Sequence, residues 1–153
     1  MKLLTTIFTL MVLALIANGC GTPSSESDSE STTVQTHETA DSLSNSLSLN
    51  DGKKWKVNEE MKPFIEDSEK MLQDFNRKNA QNYAGLAKAL KEKNTGLIKS
   101  CTMKGESHDE LHKWLHPHME LIEELGTAES NEEARALVAD LEKSFKAYNQ
   151  YFK

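Results

Sequence analysis

The stretch 101–125, CTMKGESHDELHKWLHPHMELIEEL, decides how this chain folds. Leu111, Leu115, His118 and Ile122 recur at three- and four-residue steps, the period of a helix with one buried face. Ser107 with Glu110 predicts a capping box at its start, and Gly126 predicts its stop. Pro117 falls in the middle, where it removes the backbone bond to Lys113 and predicts a kink. The same period recurs three times outside this stretch. Residues 58–77 carry Met61, Phe64, Ile65, Met71, Leu72 and Phe75, with Asn58 as the expected cap and Pro63 confined to the first turn. Residues 80–101 place Tyr83, Leu86, Ala87, Leu90, Leu97 and Cys101 on one face, with Gly96 a local weak point. A second capping box, Ser130 and Glu133, opens a run through Leu137, Leu141, Phe145, Tyr148 and Phe152. No stretch alternates like a strand. Four helices with short joins predict an all-α fold, an antiparallel up-down-up-down four-helix bundle over residues 52–153. Trp55, just ahead of the first helix, is expected to cover one end of its core.

Upstream the chain changes character. Residues 1–19 hold one charge, Lys2, and an apolar run over 3–17, the layout of a secretory signal and short for a membrane span. The run ends in Leu15-Ile16-Ala17-Asn18-Gly19-Cys20, which resembles the lipobox of bacterial lipoprotein precursors, with Ala17 where leucine is commoner. That resemblance implies cleavage before Cys20 and acylation of Cys20 with palmitate-type chains. Several chains on one residue anchor a protein to a lipid bilayer far more firmly than one. An ordinary signal followed by a chance cysteine is the plainer alternative. Residues 20–51 are Ser/Thr-rich and carry six acids, no Lys or Arg and no aromatic residue. Such composition predicts a disordered acidic spacer. His37 lies in it alone, without an assigned role.

The charge divides at the same boundary. From residue 52 onward 17 basic side chains face 18 acidic ones, so the expected bundle is near neutral. It has no basic patch for nucleic acid. Consumption of Cys20 would leave Cys101 without a disulfide partner in the chain.

The chemistry-bearing residues cluster in 101–116. Cys101 and Met103 offer a thiol and a thioether, and His108 and His112 stand one helical turn apart. Histidines at i and i+4 present their rings on one face, a common way to hold a metal. Thiolate with thioether favours Cu(I), whereas Cys with His also suits Zn(II). Met61 and His116 stand as further candidate ligands. The plainer reading is that Cys101 and Met103 are core residues and the histidines are solvated. His118 occupies a position suited to leucine. Its plain reading is a core histidine satisfied by Asn94, Ser68 or water, and its sharper one a haem ligand opposite Met71.

Little supports catalysis. No cysteine-hydrolase signature surrounds Cys101 and His108, and no Gly-rich phosphate loop is present. The block CTMKGESHDELHKWLHP resembles small helical lipoproteins of Gram-negative-type bacteria, a resemblance that brings no activity and no site residues. The expectation is a non-enzymatic, lipid-anchored bundle in the cell envelope, on a periplasmic or cell-surface face, that binds or buffers copper or zinc. The competing expectation is an adaptor for another envelope protein, with no metal.

Overall fold

A computed structural model describes residues 47–153. The expected signal segment, Cys20, His37 and most of the expected spacer lie outside the described residues. Four helices make up the fold: α1 (Lys62–Arg77), α2 (Tyr83–Ser100), α3 (Glu106–Thr127) and α4 (Asn131–Tyr151). Among the described residues there is no strand, only isolated bridges.

Side-chain pairs fix the topology. Lys93 meets Asp67 and Asn58 meets Ser100, so α1 and α2 run antiparallel. Lys91 meets Glu123, reversing α3 against α2, and Trp114 reaches Ser144, reversing α4 against α3. Asn149 bonds Glu69, and Asn76 bonds Glu142, closing α4 onto α1. This is the expected four-helix bundle. Its centre is apolar, with Leu90, Leu137 and Leu141 fully buried beside Met61, Leu72, Leu97, Leu111 and Phe145. Burial of that kind contributes about 1.5–3 kcal/mol for each large side chain. No helix among the described residues is long and apolar enough to cross a membrane.

The helix ends obey local chemistry, with several departures from expectation. Helix α1 begins at Lys62, not Asn58, and Met61 at its N-cap makes no side-chain bond. Asn58 instead donates to the Ser100 carbonyl and accepts from Thr102 N–H, tying the start of α1 to the end of α2. α1 ends in a Schellman motif: Asn79 has φ 48°, Ala80 N–H reaches Phe75 O and Asn79 N–H reaches Asn76 O. Asn82 caps α2 through Gly85 N–H. Gly96 is more than a weak point, because a Cβ there would sit 2.3 Å from the Phe64 ring. The missing side chain lets Phe64 lie against α2.

The capping box expected at Ser107 and Glu110 does not form. Gly105 is the N-cap of α3, with φ 66° and ψ −157°, a conformation open essentially to glycine alone. The Ser107 hydroxyl bonds Lys104 O instead. The box at α4 does form at its Ser130 arm, which accepts Glu133 N–H. The Glu133 carboxylate reaches one residue further back, to Glu129 N–H. α3 runs unbroken through Pro117 to Thr127, two residues beyond the expected stop at Leu125.

Residues 47–51, assigned above to the spacer, belong to the bundle. Leu47 is buried in the core, and Ser48 donates its N–H and hydroxyl to Glu110. Glu110 is itself buried and also accepts from Lys113 at 2.7 Å. Burial opposes its charge, but the donors from Lys113 and Ser48 outweigh that and hold its carboxyl below the ordinary range. Trp55 exchanges backbone bonds with Tyr151 and Lys153, so the segment before α1 pairs with the end of α4 at one end of the core. That matches the role expected of Trp55.

Candidate functional site

The α2–α3 turn sets the geometry. Helix α2 stops at Ser100, where Cys101 turns extended with φ −71° and ψ 120° as the C-cap. Gly105 then starts α3. Cys101 and Met103 are partly buried and lie against the apolar core. Cys101 is the only free cysteine among the described residues, and its thiol makes no hydrogen bond there. Met61, the further candidate, is 1% exposed and lies in the core.

The histidines do come together, in an arrangement their spacing only partly announces. His108, His112 and His116 form a ladder up α3. His112 Nε2 lies 3.1 Å from His108 Nε2, and His112 Nδ1 lies 2.8 Å from His116 Nε2. Ring centroids are 4.5 and 5.0 Å apart. The i, i+4 spacing predicts neighbours, but it does not reveal that the middle ring uses both nitrogens at once. Desolvation, followed by the like charge of His108 and of His116, lowers the His112 pKa below the ordinary histidine value.

Proton counting limits this ladder. Each N···N contact needs one shared proton, so three neutral rings satisfy both contacts if all donate in the same direction. One extra proton fits. A second would leave His112 asked to accept at both nitrogens with a single lone pair, and a contact would break. The ladder therefore accepts one added proton and not two, and a Lewis acid that replaces a shared proton finds two ring nitrogens facing it.

Two imidazoles on one ion, with bonds of about 2.0–2.1 Å, stand about 2.9–3.4 Å apart at right-angled to tetrahedral angles. The 3.1 Å spacing lies inside that range and the 2.8 Å spacing just below it. As placed, His112 turns opposite nitrogens to its two neighbours, so the rungs form two pairs, not one triad. Accordingly, no group of three His, Cys, Asp or Glu side chains among the described residues is arranged to hold a metal. Beside the upper pair lies a groove of about 370 Å³ between α2 and α3, lined by Ile98, Leu115 and Met119 with His112, His116 and Glu120.

His118 is 0% exposed. Its ring stacks on Trp114 at 4.7 Å and meets Phe145 edge-on at 4.8 Å. Its protein partner is Ser144, not Asn94 or Ser68: Nδ1 lies 2.9 Å from the Ser144 hydroxyl. The same residue's carbonyl accepts Trp114 Nε1–H at 2.9 Å, so Ser144 ties two successive turns of α3 to α4. Nε2 is buried and has no partner among the described residues. Burial lowers the His118 pKa to about 3. Trp114 and Phe145 pack against the His118 ring, and Met71 stands on α1, partly buried against the core.

No family model matches the chain, and no curated protein or solved structure shows significant similarity to it.

Proposed function

We propose that this protein is a non-enzymatic, lipid-anchored bundle of the bacterial cell envelope that binds or buffers a soft metal ion, copper in preference to zinc. The ion is held by the His108 and His112 imidazoles, and Cys101 and Met103, partly buried at the α2–α3 turn, swing in as its sulfur ligands when it binds. One observation carries the reading: the Nε2 atoms of His108 and His112 face each other at 3.1 Å on one rigid helix. That is close to the separation of two imidazoles sharing one ion. Thiolate and thioether add softness and favour Cu(I). The anchor is Cys20, through the lipobox that precedes it.

Titration of the full-length protein with Cu(I) against a chromophoric chelator tests this. Cys101→Ser is expected to remove most Cu(I) affinity, and His108→Ala with His112→Ala to weaken it further. Equal Cu(I) affinity in wild type and Cys101→Ser would remove the thiol from the site. The competing reading, an envelope adaptor, is favoured by the groove whose wall includes Ile98, 47% exposed. A protein indifferent to copper and zinc would leave that reading in place.

A further inference from the structure

The upper rungs of the ladder can do something the thiol site does not need. We infer that His112 Nδ1 and His116 Nε2 form a second, thiol-independent, two-imidazole site for a borderline divalent ion such as Zn²⁺ or Ni²⁺, which Glu120, one turn further on, turns in to complete when the ion binds. This goes beyond the copper reading, because it uses the opposite face of the His112 ring and none of the sulfur ligands.

Three observations converge on it. First, the two nitrogens already lie 2.8 Å apart, so an ion replacing the shared proton has to widen the pair by only a few tenths of an ångström. The rings are in contact before any ion arrives, so little rotamer freedom is left to lose. Second, this pair, unlike His108, lines the α2–α3 groove. The groove gives room for the water molecules that must fill the remaining coordination positions. Glu120 lines the same groove, on the turn above His116, and makes no ion pair among the described residues. Glu123, also in the lining, is held by Lys91 at 2.8 Å and is less free to turn inward. Third, the backbone beneath is fixed. Trp114, Leu115 and His118, interleaved with the rungs, are buried, and Ser144 holds two of them.

The donor set selects the ion. Imidazole with carboxylate and water suits Zn²⁺, Ni²⁺ and Cu²⁺, and lacks the sulfur that favours Cu(I). His108 then has a different job from ligation. With an ion on His112 Nδ1, the proton of that ring sits on Nε2 and donates to His108 Nε2, which fixes the tautomer and aims the lone pair. His108 is thus a positioning residue for the upper site. A neutral imidazole has one lone pair, so His112 serves one site at a time.

Calorimetric titration of the full-length chain in detergent with Zn²⁺ alone, and then with Ni²⁺ alone, tests this. Wild type and Cys101→Ser are expected to bind one ion with affinities within about threefold of each other. His112→Ala and His116→Ala are expected to bind at least tenfold more weakly, and His108→Ala to lose less than either. Both ladder positions are exposed, so unchanged circular dichroism will show that the variants remain folded. Nitrogen-15 spectra should show Zn²⁺ shifting His112 Nδ1 and His116 Nε2. Failure of wild type to bind either ion, undiminished binding by His116→Ala, or loss of Zn²⁺ binding in Cys101→Ser would each overturn the inference. The Cu(I) titrations bear on the thiol site alone, so the two readings fail separately.

Discussion

Acid should destabilise this bundle through one buried ring. His118 has no solvent exposure, its Nε2 has no partner among the described residues, and burial lowers its pKa from 6.5 to about 3. The unfolded chain takes up a proton on this residue near pH 6.5, and the folded chain does not. Its contribution to stability is therefore fully present above pH 6.5 and is lost progressively as pH falls towards about 3. Each pH unit in that window costs about 1.4 kcal/mol, so moving from pH 7 to pH 5 should cost about 2 kcal/mol. His112, also depressed, acts in the same direction. Comparison with His118→Leu, which keeps the ladder, isolates the buried ring. Urea unfolding of both proteins at pH 7 and pH 5 reads the effect. Wild type should lose about 2 kcal/mol more than His118→Leu over that interval. Equal losses in the two proteins would refute the claim that His118 stays neutral in its folded environment.

Other expectations concern the turn, the leading segment and the anchor. Gly105→Ala should cost about 1–3 kcal/mol in denaturant melts, wholly from backbone strain, since nothing lies within 4 Å of the added Cβ. Unchanged stability would mean that the φ of 66° at this cap is not held. Glu110→Gln should weaken the charged bonds to Lys113 and Ser48 and cost about 1–3 kcal/mol, with faster hydrogen exchange at the Ser48 amide as its local sign. Undisturbed exchange there would show that Leu47, not Glu110, holds the segment down. Cys20→Ala should leave unprocessed precursor that takes up no labelled fatty acid; labelling at the mature mass would rule out Cys20 as the acylation site.

Much of the bundle is legible in the sequence because apolar spacing along a helix translates directly into a buried face. Leu111, Leu115, His118 and Ile122 share a face as their spacing requires, and all are buried. The Ser130 cap is equally legible, since its partner is three residues away. The failures involve partners distant in sequence. Ser107 and Glu110 have the spacing of a capping box, but Glu110 is taken by Ser48, 62 residues earlier. Asn58 looks like a cap and serves as a tie to Ser100, 42 residues on. Leu47 stands in a polar, acidic stretch, and only the assembled bundle offers it a place in the core.

The candidate site divides in the same way. Helical spacing makes His108 and His112 neighbours, and it extends to His116. It does not tell which ring nitrogens face each other, because that depends on side-chain torsions. The partner of His118 was out of reach for a related reason. Ser144 is one small polar residue on a helix whose buried face is otherwise mostly apolar, and only the register of α3 on α4 brings it to the ring.

Metal binding at the α2–α3 turn is tested most directly by melting full-length protein with and without Cu(I) under reducing conditions. Free ion at about a hundred times its dissociation constant should stabilise the folded state by about 2.7 kcal/mol. For a domain of this size that raises Tm by roughly 10 °C or more. The gain should shrink as pH falls, because the Cys101 thiol must give up its proton to bind as thiolate. It should also largely vanish in Cys101→Ser. A wild-type Tm unmoved by saturating Cu(I) would contradict the proposed site.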